Sequence, residues 1–313
     1  LFQEVPHGRG GVLRKDVLDL TAFMAFDFSQ AELRILAEVS GDPLLIKQFQ
    51  DAANDPGNPL KDVHCQVGHQ LTGWSPEKIK TDKNARKVVK NMQFGIVFGK
   101  GRDGMYDYVV HKIREIDGEN ADLTGVTREF VTNAYDAYFK RYKGVAKYMK
   151  EAQASGEENG FVETIFEFRR AIFDDDARST FTGNQSINTP IQSAAHTLLL
   201  IALALLHLKP KTYNLLQTPV MEVHDALDFF VKLRDLPEAY KQGKHLLEVG
   251  VVEYAAKHFK RRLKVPLIAE AEAGFCLGGL AEYEGEPVEE WLPKWRKHHL
   301  ETERRSWADL EKV

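Results

Sequence analysis

Residues 21–28 read Thr-Ala-Phe-Met-Ala-Phe-Asp-Phe, an apolar and aromatic run with one carboxylate in its seventh place. Eight residues of that composition predict a buried strand. Ser29 to Glu38 then predicts a helix, with Ser29 at the N-cap and Glu32 three residues on, as in a capping box. Asp27 therefore falls where a strand gives way to a helix, an exposed junction suited to a site. A second strand-like stretch, Pro219 to Val231, is interrupted only at His224-Asp225, which predicts a hairpin with Asp225 at its tip. A sheet built from both ends of the chain brings Asp27 and Asp225 together. The middle of the chain is then an insertion, and the fold class is α+β.

The insertion, roughly 40–185, is rich in helical patterns broken at Gly41, Pro43, Pro56 to Pro59, Gly73 to Pro76 and Gly99 to Gly104. Residues 118–127 read as a connecting loop and 128–158 as one or two amphipathic helices. Residues 160–172 read as an extended segment with basic residues at its end. Asn188-Thr189-Pro190 opens a helix that runs to about residue 207, with Pro near its first turn. The tail from 281 is polar and charged, carries three Trp, and reads as helical in part.

At 313 residues the chain exceeds one typical domain. With 43% hydrophobic and 28% charged residues it has the balance of a soluble globular protein rather than a disordered one. Its longest apolar run, Leu198 to Leu206, is shorter than the roughly 20 residues a membrane span needs, so no membrane is expected among its partners. Nothing at the start reads as a signal peptide, and a first residue of Leu rather than Met suggests a fragment or processed product. Cys65 and Cys276 match no metal-ligand spacing. They read as reduced, buried, structural residues of a reducing compartment.

The net charge of −4 does not exclude a nucleic-acid partner, because binding depends on where positive charge sits. From Lys78 to Arg102 the chain carries Lys78, Lys80, Lys83, Arg86, Lys87, Lys90, Lys100 and Arg102 against one acid, Asp82. A second basic cluster runs through Lys140, Arg141, Lys143, Lys147 and Lys150. Arg86, Lys90, Phe94 and Phe98 are four apart, so on a helix each turns about 40° from the last and they form one stripe. Its cations suit phosphates and its rings suit a sugar or base. The same stripe also reads as a charge-decorated helix with two core phenylalanines. Asp27 and Asp225, each ordinary in a turn or cap, together suggest a two-metal phosphoryl-transfer site. Magnesium is commonly held by one or two carboxylates with substrate phosphates, and cations neutralise the charge that develops there.

Three patterns occur in order: Asp27-Phe28-Ser29-Gln30-Ala31-Glu32-Leu33-Arg34, then Arg86-x-x-x-Lys90-x-x-x-Phe94-Gly95-x-x-Phe98-Gly99, then Val223-His224-Asp225. They resemble motifs A, B and C of family A DNA polymerases, the bacterial DNA polymerase I type, a phage-encoded member included. Phe2 to Pro6, Asp62-Val63-His64, Gly160 to Thr164, Asn188-x-Pro190-x-Gln192 and Val265 to Leu267 resemble further family segments, so the resemblance covers about residues 1–276. It implies a right-hand polymerase fold without its thumb. The palm, with an antiparallel sheet, would take residues 1–38 and 186–280. Largely helical fingers would take 39–185, with the motif B helix at about 84–98, leaving 281–313 as a polar tail.

The resemblance further implies a DNA-directed DNA polymerase core, adding deoxynucleotides to a primer 3′-hydroxyl by two-metal phosphoryl transfer in DNA replication or repair. Asp27 and Asp225 would hold two Mg2+ ions, replaceable by Mn2+, with the Phe28 carbonyl as a further ligand and Lys90 sharing in catalysis. The nucleotide would meet Phe28, Ser29 and Gln30. Arg86, Lys90 and His64 would contact its triphosphate. Glu32 would be the steric gate against a 2′-hydroxyl, Phe94 would pack on the deoxyribose, and Phe98 would lie near the templating base. Asn188, Gln192, His224 and Arg178 would hold primer–template DNA. Departures from the family pattern are Phe98 for Tyr, Ala226 after Asp225 for Glu, Ala31 for a larger apolar residue, Glu167-Phe168 for Gly-Arg, and Asn184 for Arg. They bear on DNA contacts more than on chemistry. Two other readings stay open: a single-subunit RNA polymerase, against which Glu32 and Phe94 speak, and a non-catalytic nucleic-acid-binding relic, against which the retained carboxylates speak. The expected location is the cytoplasm of a bacterium or phage-infected host, with an organelle left open, and a processivity or exonuclease partner is left open and unidentified.

Overall fold

Alternation sets how strand β1 (Thr21–Phe28) is used: Ala22, Met24, Phe26 and Phe28 are buried, while Asp27 between two of them is exposed. The structure, a computed structural model, describes residues 15–55, 58, 61–172, 179–223 and 225–310, without the side chains of 179–182 and 301–310. The further strands are β2 (Phe161–Glu163), β3 (Arg169–Ala171), β4 (Pro219–Val223), β5 (Ala226–Lys232), β6 (Ala269–Gly274) and β7 (Ala281–Glu282). β1 is the middle strand of a five-stranded antiparallel sheet ordered β4-β5-β1-β6-β7, and β2 and β3 pair separately as a hairpin. This is the expected α+β fold with an antiparallel sheet.

The chain divides into two compact units. The sheet unit comprises Leu1–Ser29, His196–His258 and Leu267–Val313; the helical unit comprises Gln30–Ala195 and Phe259–Pro266. Residues 30–38 and 186–195, expected with the sheet, fall in the helical unit, and 281–313 is expected as a separate polar tail. The tail instead completes the sheet unit. β7 pairs with β6, and the Val288–Leu310 helix buries Trp291 and Trp295. The Trp295 indole donates to the Gly279 carbonyl (2.7 Å) and its ring stacks on His299. Cys276 is exposed rather than buried; Cys65 is buried with Ile79 and Val89, as expected.

One face of the sheet packs on the Leu236–His245 helix, and Gly243 allows the close approach. A Cβ there would lie 2.2 Å from the buried Phe26 ring. Lys244 donates to the Ala269 carbonyl (2.7 Å), Glu248 accepts from the Ala269 N–H (2.9 Å), and the two side chains bridge each other. This clamp fixes the first residue of β6, next to Glu270.

In the helical unit, aspartate and hydroxyl caps do much of the local work. Asp42, Asp62, Ser75, Asp82 and Thr127 accept from the first-turn N–H groups of Pro43–Asn54, Val63–Thr72, Pro76–Thr81, Lys83–Val97 and Arg128–Arg141. Each such cap contributes about 1 kcal/mol. Met105–Asp117 and Lys143–Asn159 complete the middle of this unit, with 118–127 as a loop between helices.

The helix expected to open at Asn188 runs from Ser179 to Leu208, with Pro190 inside it. Proline removes one helical donor and crowds the preceding turn; the Tyr148 hydroxyl donates to the Ile187 carbonyl in that turn (2.9 Å). By length and a mean hydropathy of 1.7, Gly183–Leu208 could cross a membrane, which the shorter run considered above could not. More than half of its most apolar 18-residue stretch (56%) is buried within the folded chain, as in a core helix.

Gly243→Ala should lower stability by about 1–3 kcal/mol through overpacking against Phe26. The gain in helix propensity, about 1 kcal/mol, offsets this only in part. Urea unfolding of the two proteins measures the difference, and an unchanged or raised midpoint would show that the ring can move aside.

Candidate functional site

The sheet unit brings Asp27 and Asp225 together. Register places Asp27 between Ala226 of β5 and Glu270 of β6, so Asp27 and Glu270 stand side by side on the open face. Asp225 lies in the tight turn between Val223 and Ala226, which pair as the last residues of the hairpin. The two aspartates hydrogen-bond, and the Asp27 pKa is raised to about 7. Partial burial is the largest cause, followed by the charges of Asp225 and Glu270; a bond from the Phe28 N–H works in the opposite direction. Like charges crowded into one place disfavour ionisation unless a cation joins them.

Among the described residues no group of three or more His, Cys, Asp or Glu side chains is arranged to hold a metal ion. The donors on offer are therefore the aspartate pair, and two hard carboxylates suit magnesium, which keeps water and phosphate as its other ligands. Glu270 was missed in the sequence reading. Its signal was the period-two run Ala269-Glu270-Ala271-Glu272-Ala273, which marks a strand with acids along one face.

The capping box predicted at Ser29 and Glu32 does not form. Gln30 is the N-cap of Ala31–Ser40, in the left-handed region (φ 56°, ψ 40°) and without a side-chain cap bond. The Ser29 N–H instead donates to the Ile268 carbonyl (2.8 Å). A left-handed non-glycine residue costs roughly 1–2 kcal/mol. The Gln30 amide oxygen is buried with no hydrogen-bond partner.

The helical unit carries the predicted stripe on Lys83–Val97, with Phe98 as its C-cap. Phe94 and Phe98 are half-buried and stack with ring centres 6.3 Å apart. Lys90 is exposed and bridges to no carboxylate among the described residues. Arg86 is held by Asp62 (3.2 Å). Burial alone would raise the Asp62 carboxyl, but the Cys65 N–H and the Arg86 guanidinium outweigh it and bring it down to about 2. Half of the basic run meets acids from elsewhere in the chain: besides Arg86, Lys80 also meets Asp62, Lys87 meets Asp117, and Arg102 meets Asp136.

His64 does not face solvent. It is 2% exposed, its Nδ1 lies 2.5 Å from Gln93 Oε1, and burial lowers its pKa to about 4, so the ring is neutral. A cavity of about 390 Å3 in the same unit is walled by Phe98, Lys100, Tyr108, Arg170, Asn188 and Gln192. Gln192 hydrogen-bonds both Asn188 (3.0 Å) and Glu32 (3.1 Å), joining two predicted DNA contacts to the predicted sugar gate. His224, Arg178 and Phe2 to Pro6 lie outside the described residues.

Residues 14–277 match the model of DNA polymerase family A, which is most of the chain. The chain belongs to DNA polymerase family A. Among its family A relatives, DNA polymerase I of Chloroflexus aurantiacus is 30% identical over 208 residues, covering 66% of this chain and 19% of that protein. DNA polymerase I of Streptococcus pneumoniae is 29% identical over 259 residues, covering 81% of this chain and 26% of that protein. The chain thus spans about a fifth to a quarter of the length of these relatives. The fold is similar to that of the POL domain of Pol1 from M. smegmatis, solved in complex with DNA primer-template and dNTP. The TM-score is 0.62 at 21% identity, over 81% of this chain and 39% of that one. The family match ends before β7 and the Val288–Leu310 helix.

Without divalent cations, the stability of this chain should fall as pH rises from about 4 to 7. Over that window the native Asp27 keeps a proton that the unfolded chain, with a carboxyl near 3.8, has released. The stabilisation is complete below the lower value and lost above about 7. Asp27→Asn should flatten the slope, read as the difference between the two proteins' urea midpoints across pH. Parallel profiles would mean that the crowding is relieved some other way.

Proposed function

We propose that this chain supplies the nucleotidyl-transfer core of a DNA-directed DNA polymerase, adding deoxynucleotides to a primer 3′-hydroxyl in replication or repair. The carrying observation is the aspartate pair. About 200 residues apart in sequence, Asp27 and Asp225 meet on one open sheet face, where burial and the charges of Asp225 and Glu270 raise the Asp27 pKa. The names of the relatives, and the primer-template and dNTP bound by the M. smegmatis protein, support the same substrates here.

In this reading Asp27 and Asp225 hold Mg2+, or Mn2+ in its place, with the Phe28 carbonyl as a further ligand. Two such ions, when bound, would activate the primer hydroxyl and stabilise the departing oxygen of pyrophosphate. The chain's own residues bind and orient. Lys90, free of carboxylate partners among the described residues, meets the triphosphate as a mobile point charge. Arg86 presents a guanidinium already oriented by Asp62. Phe94 packs on the deoxyribose, Phe98 lies beside the templating base, and Glu32 excludes a 2′-hydroxyl. His64 acts behind this surface: neutral and tied to Gln93, it braces the helix that carries Lys90. Asn188, Gln192, His224 and Arg178 hold the primer–template. The cytoplasm of a bacterium or phage-infected host is the setting that fits these substrates.

Magnesium-dependent primer extension tests this directly. Asp27→Ala and Asp225→Ala should each reduce extension by more than about 100-fold, the scale of losing one preorganised electrostatic stabiliser. Lys90→Ala should raise the nucleotide concentration needed. Undiminished extension by either aspartate variant would overturn the metal assignment, and salt-sensitive DNA binding without any incorporation would favour a binding relic.

A further inference from the structure

We propose that Gln192, steadied by Asn188, is a positioning residue for the Glu32 carboxylate and so sets how strongly the enzyme prefers deoxyribose over ribose. This rests on the reading of Glu32 as the sugar gate.

Chemistry fixes the direction of the contact. A carboxylate only accepts, so Gln192 must turn its NH2 group toward Glu32 (Nε2 to Oε1, 3.1 Å). Its carbonyl oxygen is then left to accept from the Asn188 NH2 group (3.0 Å). Asn188 and Gln192 are one helical turn apart on Ser179–Leu208 and lie one above the other. The relay therefore has one polarity, Asn188 to Gln192 to Glu32, and the far end is set as well. The Asn188 amide oxygen is left buried with no hydrogen-bond partner.

Gln192 reaches Glu32 from another helix, and the capping box that would have folded the carboxylate onto its own helix start is not formed. In a capping box the carboxylate would fold back on the helix start. Here the cap is the left-handed Gln30, which makes no side-chain cap bond. Phe98, on the wall of the neighbouring cavity, carries no polar atom to take the role. Tyr108, on the same wall, is close enough for the Glu32 charge to add to the effect of burial in raising its pKa. The Gln192 NH2 group has a second hydrogen, so holding Glu32 is compatible with a contact to the primer–template.

Equilibrium binding of dATP and ATP to the full chain on a dideoxy-terminated primer–template, with templating thymine and Mg2+, reads the preference without turnover. Gln192→Met keeps the length and loses the donor. It should reduce the deoxy-over-ribo affinity ratio by about 3- to 10-fold, the scale of one hydrogen bond. Gln192→Lys, which still donates to a carboxylate, should retain the ratio. In a Glu32→Ala background, Gln192→Met should change the ratio no further. If Glu32→Ala erases the preference while Gln192→Met leaves it intact, the positioning role fails and the gate stands. An equal loss from Gln192→Met with and without Glu32 also overturns the proposal, since Gln192 would then act on the nucleotide directly. If Glu32→Ala leaves the ratio unchanged, the gate reading fails and the proposal fails with it. Binding of neither nucleotide by the unaltered chain overturns the polymerase reading and, through it, this one.

Discussion

The paired register of β1 with β5 and β6 is the constraint on which the sheet unit depends. Side chains alternate between the faces of a strand, so a slip of one residue along either partner would carry the neighbouring acid to the other face. At the observed register, Asp27, Glu270 and the Asp225 turn share the open face, while Met24, Phe26 and Phe28 fill the other. Burial of those apolar side chains, at about 1.5–3 kcal/mol each, holds the register against the repulsion it creates. Gly243 and the Lys244–Glu248 clamp act on the same strands from behind, one by permitting close packing and the other by fixing where β6 begins. Hydrophobic packing thus positions a charge arrangement that would not assemble for its own sake.

Charge is handled differently in the two units. At the open sheet face, Asp27 is crowded by Asp225 and Glu270, and its raised pKa records that crowding. In the helical unit half of the cations around the stripe meet acids from elsewhere in the chain, so a run that looks strongly basic in sequence is partly neutralised in the fold. Of the others, Lys78 and Lys100 lie over the Trp74 and Tyr108 rings and Lys90 stays exposed on the stripe; Arg86 is oriented by its acid. Pairing half of the charge limits nonspecific attraction to polyanions and leaves the remaining cations to act at defined places.

Much of this was legible in the sequence because it rests on short-range pattern. The β1 run, the turn at Asp225 and the four-residue spacing of Arg86 to Phe98 each state a local geometry, and the structure has all three elements. What was not legible required partners distant in sequence. Ser29 and Glu32 form a capping box on paper, but the sharp exit from β1 needs a left-handed residue, and Gln30 takes that conformation. Pro190 looked like a helix start, yet the helix continues through it with the Tyr148 hydroxyl bonded in the disturbed turn. His64 sat in a motif that suggested a phosphate ligand, and only three-dimensional packing showed it buried against Gln93. The tryptophans of the tail gave no motif, although two of them close the edge of the sheet.

The order of the strands also sets a schedule. β1 is made first, but both of its neighbours come from the last third of the chain, about 200 residues later. At a synthesis rate of about 5–20 residues per second, the strand that carries Asp27 would wait roughly 10–40 s for β5. During that time its apolar face has no sheet to join, while the helical unit, rich in local contacts, can already be compact. The carboxylate pair is therefore among the last features to exist as the chain is made.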